Sequence, residues 1–146
     1  MAGGIGLVAG MRSMMAPALV SRYLGGRRRR ETALPMRLLG HPAAPTVTAV
    51  LAAGELVADK LPQTPARTEV PSLIGRVLSG TLCGAAIGIR LKAPVAATAL
   101  VGGVTALGST FMMYHARHLA DRFVPDLATA IAEDALAIGL GTSVLR

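Results

Sequence analysis

No charged side chain occurs between Ala93 and Tyr114. A helix over that stretch meets the ~20-residue requirement of a ~30 Å hydrocarbon core. Around it lie four more apolar stretches, from about Gly3 to Leu24, Thr46 to Leu61, Leu73 to Leu91 and Asp126 to Leu145. Together they predict an all-α, polytopic integral membrane bundle of about five spans in a single domain, residues 1–146. The second stretch is short for a crossing: about 16 residues at 1.5 Å each give only ~24 Å, and Pro45 and Pro62 bracket it. A partial helix there is the kind of element that presents its end to a transporter site.

Composition supports a bundle packed through small residues. The chain is 52% hydrophobic with 17 Gly, 2 Phe, 2 Tyr and no Trp. Gly80, Gly84 and Gly88 recur every four residues, as do Gly6 and Gly10. Such faces let helix backbones touch, within one chain or in a homo-oligomer. The net charge of +7 would suit nucleic acid in a soluble protein, but the basic residues concentrate in one loop and stacking aromatics are scarce, which argues against a nucleic-acid partner. Ala16-Pro17-Ala18 resembles a signal-peptidase site. The preceding segment has no basic n-region and Arg12 interrupts its apolar run, so it reads as a retained helix.

Arg22, Arg27, Arg28, Arg29, Arg30 and Arg37 lie between the first two stretches. The positive-inside rule makes that loop cytoplasmic in a multi-pass protein of the cell membrane. Alternation then puts Arg90, Lys92 and Arg146 inside and the N-terminus outside.

Arg12, Glu55, Glu133 and Asp134 fall near the middle of apolar stretches. Each costs roughly 2.5–3.5 kcal/mol on insertion scales, so a shared interior or wet cavity is needed. Glu55 is ~14 Å into its stretch and Glu133 ~11 Å into its own, a similar depth. One cation against three carboxylates leaves excess acid to be protonated, solvated or bound to a cation. Glu55 and Asp59 share a helix face, with Lys60 beside Asp59. Arg67, in the proline-stiffened loop from Leu61 to Pro71, and Arg76, at the head of the third stretch, are gate or connector residues. His115, His118 and Asp121 have metal-ligand spacing without an evident fourth ligand. Cys83 reads as a small buried hydrophobe.

The first two stretches can also be laid over the last two. Gly10 falls on Gly108, Met14-Met15 on Met112-Met113, Pro45 on Pro125, and Glu55 near Asp134. With one stretch between them the halves would be inverted, a plan that places a site at the midplane.

The run Gly54-Glu55-Leu56-Val57-Ala58-Asp59-Lys60-Leu61-Pro62, then Arg67-Thr68, Pro71 and Ser79-Gly80, resembles the membrane-protein family called domain of unknown function 4126. Its Glu-x-x-x-Asp-Lys-x-Pro motif and Gly-rich following helix imply a small polytopic protein. Gly-x-Arg-Ser around Arg12 is compatible. A similarity to cation/proton exchangers with a Glu-x-Gly-Asp-Lys-Thr motif breaks down, because the Glu55–Asp59 interval is one residue longer. That turns the second acid by ~100°.

The function expected is a small transporter or channel with a midplane site for a proton, cation or small solute. Its residues would be Arg12, Glu55, Asp59, Lys60, Glu133 and Asp134. The alternatives are a non-transporting scaffold with charges as interhelical ties, and a lipid-modifying enzyme using Glu55, Asp59 and Lys60. No Walker loop, nucleophile elbow or HExxH is present, and no cofactor is implied.

Overall fold

A computed structural model describes residues 1–25, 33–58, 69–120 and 126–146. Among them the chain is all-α, with seven helices and no strand. They are α1 (Ala2–Met11), α2 (Met15–Leu24), α3 (Leu34–Leu39), α4 (Ala44–Ala58), α5 (Val70–Leu91), α6 (Val95–Ala120) and α7 (Asp126–Val144). The last four correspond to the second to fifth apolar stretches.

The first stretch departs from expectation: it is two helices, not one. Arg12 is extended, at φ −141° and ψ 115°. Pro17 accounts for the break. In an unbroken helix the Ser13 carbonyl would face the Pro17 nitrogen, which has no N–H and a ring that clashes there. Ser13 gives its carbonyl to the Ser79 hydroxyl instead, at 2.5 Å.

Glycine contacts fix the helix directions. Gly3, Gly6 and Gly10 lie in turn against Val101, Thr105 and Ser109, so α1 runs parallel to α6. Gly80, Gly84 and Gly88 lie against Ala106, Thr98 and Val95, so α5 runs antiparallel to it. The helix after the break turns back. Tyr23, near the end of α2, lies 5.9 Å from the guanidinium of Arg90, near the end of α5. Val8 of α1 and Leu19 of α2 both pack at Gly141. Thus α1 and α2 form a helical hairpin, each arm about 15 Å long, shorter than the ~30 Å of a hydrocarbon core.

This folding corrects two expectations. The N-terminus lies at the same end as Arg22, Arg90 and Lys92, not opposite them. The proposed repeat also fails, because a hairpin stands where an unbroken α6 was to be its counterpart. Gly10 packs on the Ala106 carbonyl, whereas a side chain at Gly108 would meet open space.

The hairpin is central. α1 packs on α5, α6 and α7, and α2 on α4, α5 and α7. α4 runs antiparallel to α2, with Thr48 at Ser21 (3.0 Å) and Glu55 at Met14 (2.8 Å). Short α3, with Pro35 in its first turn, seats Leu39 in the core.

Polar and charged residues are buried beside the apolar core, and large apolar side chains face outward. Arg12, Arg76, Glu133, Ser21, Ser79, Ser109 and Thr110 are buried. Leu100 (67% exposed), Val57 (66%), Leu78 (62%) and Val104 (59%) face outward. Two helices, α5 and α6, are long and apolar enough to cross a membrane; α1 and α4 are apolar but shorter.

The Gly-x-x-x-Gly faces are used inside the chain. A β-carbon at Gly84 would strike the Thr98 carbonyl, and one at Gly102 the Gly80 carbonyl. Gly84→Ala should therefore destabilise the protein by about 1–3 kcal/mol through overpacking. Gly108→Ala should be neutral or gain up to about 1 kcal/mol from helix propensity. Thermal unfolding of both variants in detergent checks the contrast.

Candidate functional site

The tip of the hairpin, Arg12-Ser13-Met14, meets α4 near its end at Glu55, α5 at Ser79 and α7 at Asp134, with Arg76 of α5 and Thr110 of α6 on the carbonyls just before it. Breaking a helix exposes carbonyls at one end and N–H groups at the other. Here both ends meet charged side chains from elsewhere in the fold. Arg76 of α5 donates through Nη1 to the carbonyls of Gly10 (2.6 Å) and Met11 (2.9 Å), the negative end of α1. Glu55 of α4 accepts the Ser13 N–H and hydroxyl on Oε1 and the Met14 N–H on Oε2, each at 2.8 Å, at the positive end of α2. Each charge also complements the helix dipole it faces.

Hydroxyls complete the tip. Ser109 of α6 donates to the Leu7 carbonyl (2.8 Å), and Thr110 has the Gly10 carbonyl at 3.3 Å. Neither these residues nor Ser13 and Ser79 were singled out as site residues from sequence. The signal that could have found them is Pro17, four residues after Ser13, which forces the interruption they serve.

Arg12 is 1% exposed and donates through Nε to Asp134 Oδ1 of α7 at 2.7 Å. The expected pairing of Arg12 with one carboxylate is therefore with Asp134, while Glu55 serves the backbone next to it. Glu133, on the neighbouring position of α7, lies 3.8 Å from Arg117 of α6. Glu55 and Asp134 reach neighbouring residues of the hairpin tip, whereas Glu133 is turned to Arg117. Arg76 is not at a gate in the loop but 3% exposed in the interior. Among the described residues, Arg76 and Arg117 thus join Arg12 beside Glu55, Glu133 and Asp134, so the site holds more cations than Arg12 alone. Asp59, Lys60 and Arg67 lie outside the described residues, as do Asp121 and the Arg27–Arg30 run. His115 and His118 each pack a ring on Tyr114, at 5.5 Å. Among the described residues no group of His, Cys, Asp and Glu is arranged for a metal.

The motif residues thus converge: Glu55 of the Glu-x-x-x-Asp-Lys stretch binds Ser13 of the Gly-x-Arg-Ser stretch and Met14, just ahead of α2. A family model, domain of unknown function DUF4126, matches residues 1–145. The chain belongs to the DUF4126 family. No curated protein and no solved structure matches it. In this DUF4126 protein Glu55 and Arg76 hold the unwound backbone at the hairpin tip, and Asp134 holds Arg12 beside it.

Two measurements test the assembly of this DUF4126 site. Arg12→Met and Asp134→Leu should each cost about 3 kcal/mol, by removing a short charge-assisted hydrogen bond from the interior. The double variant should recover more than half of the summed loss, read as coupling in a double-mutant cycle. Arg76→Met should cost about 3 kcal/mol and raise hydrogen exchange at the α1–α2 junction, since two buried carbonyls lose a charged donor.

Proposed function

We propose that this protein is a small multi-pass transporter or channel of the cell membrane, with its polar site at the hairpin tip. The observation that carries this reading is the interrupted helix itself. Non-helical backbone at membrane depth is tolerated only where it is buried in protein or lines a cavity. Discontinuous helices that turn their ends toward the midplane are how many transporters build a substrate site. Glu55 and Arg76 hold those ends as exchangeable charges: a proton or cation arriving at Glu55 competes directly with the α2 N–H groups. Arg12 and Asp134 form the neighbouring pair through which such a change reaches α7. By the positive-inside rule, the end carrying Arg22, Arg37, Arg90, Lys92 and Arg146 faces the cytoplasm.

A scaffold role is the second reading, and one observation favours it. Among the described residues no buried side-chain polar atom lacks a hydrogen-bond partner. Together with the Arg12–Asp134 and Arg117–Glu133 pairs, this is what a non-transporting protein with charges as interhelical ties would have.

Flux separates the two. Purified protein is reconstituted in vesicles holding a pH-sensitive dye, under a potassium gradient with valinomycin. The transporter reading expects proton flux well above protein-free vesicles, and its loss in Glu55→Gln with unchanged size-exclusion behaviour. Wild-type flux equal to that of empty vesicles would leave the scaffold reading standing. Full flux in Glu55→Gln would remove that residue from the path.

A further inference from the structure

One helix is held differently from the rest. Among the described residues, the hydrophobic core takes side chains from six helices: Ile5 of α1, Val20 of α2, Leu39 of α3, Cys83 of α5, Ala106 of α6 and Ala137 of α7. None of its side chains comes from α4. Of that helix Ala44 and Ala52 are buried, while Val47, Val50, Leu51 and Val57 face outward. It packs on α2 and α3, whereas α5 and α6 pack on one another and on α1. A β-carbon at its one glycine, Gly54, would meet open space, so the glycine contact that joins α5 to α6 is missing there. Along its seam with α2 an open groove runs past Arg22, Pro45, Ala49 and Ala53.

The specific ties between α4 and the hairpin are polar. Glu55 accepts the Ser13 N–H and hydroxyl and the Met14 N–H, and Thr48 shares a hydrogen bond with Ser21 at 3.0 Å. An ionised carboxylate is acceptor-only and can take all three donors, whereas an amide in its place would set an NH₂ against one of them. Apolar contact adds little to this seat in a bilayer, because acyl chains solvate the same surface equally well. The other charges at the tip bypass α4. Arg12 bonds Asp134 of α7, and Arg76 bonds the Gly10 and Met11 carbonyls of α1. The hairpin therefore keeps its ties to α5, α6 and α7 when Glu55 lets go.

We infer that α4 is the movable arm of this bundle, latched to the hairpin tip by Glu55, and that its release uncovers the Ser13 and Met14 amides ahead of α2 while the other helices keep their places. That this release opens a transport site rests on the proposed function; the motion of α4 does not. In the transport reading, the proton or cation that takes Glu55 from the amides also frees the arm, so one event occupies the site and opens it.

Distances between spin labels test the motion without any flux. Val50→Cys on α4 and Leu100→Cys on α6 carry one pair of labels, and Leu78→Cys on α5 and Ile131→Cys on α7 carry the control pair. All four positions face outward, and Cys83, at 0% exposure, stays unlabelled. Glu55→Gln should shift the α4–α6 distance by about 5 Å or more, the scale of one helix moving past another, and leave the α5–α7 distance unchanged. An unshifted α4–α6 distance in Glu55→Gln, or a control distance that shifts with it, would overturn the movable arm. For the gate, Ser21→Cys with Thr48→Cys replaces the 3.0 Å hydroxyl contact by a disulfide. Oxidation should abolish proton flux in vesicles and reduction should restore it. Full flux in the oxidised protein overturns the gate. Absence of flux in the unmodified protein overturns the proposed function, while the distance shift still stands for the arm.

Discussion

Everything in this fold leans on the hydrogen bonds that hold the turn between α1 and α2. A backbone group left unmade in an apolar interior costs several kcal/mol. The interruption strands carbonyls of α1 and amides of α2 at one place. Glu55 takes two amides and a hydroxyl, Arg76 takes two carbonyls, and Ser79 takes a third. Because these partners come from α4 and α5, satisfying the turn also fixes those helices around it. Arg12 does the same for α7 through Asp134. The polar tip is therefore what brings four helices to one depth.

Close backbone approach supplies the rest. Gly80, Gly84 and Gly102 let α5 and α6 lie almost in backbone contact, and Gly6 and Gly10 seat α1 against the same α6. The larger apolar side chains are then left to face outward, as Leu78, Leu100 and Val104 do. Packing through small residues and solvation of large ones by lipid are two sides of one arrangement.

Much of this was legible in the sequence. The long apolar stretches become α5, α6 and α7 near the expected bounds. Of the ionisable residues in apolar stretches, Arg12, Asp134 and Glu55 gather at the hairpin tip, while Glu133 is turned to Arg117. The direction in which the first stretch runs was not legible, since hydropathy is insensitive to a helix folding back on itself. Pro17 carried that information through geometry alone, by denying Ser13 its helical partner, and its neighbours Ala16 and Ala18 drew attention to a cleavage pattern instead. The charge balance was likewise hidden: Arg76 lies only six residues after the start of α5, and position along a helix does not reveal that a guanidinium reaches across to α1.

A hairpin with arms of half-membrane length also constrains how the protein is made. In the membrane reading, α1 and α2 leave the ribosome before any of the helices that satisfy their turn. Neither arm can rest across a bilayer alone, and the turn has no partner until α4 and α5 arrive. In that reading the hairpin is seated after the groove formed by α5 and α6 exists. Its assembly is thus ordered opposite to its synthesis.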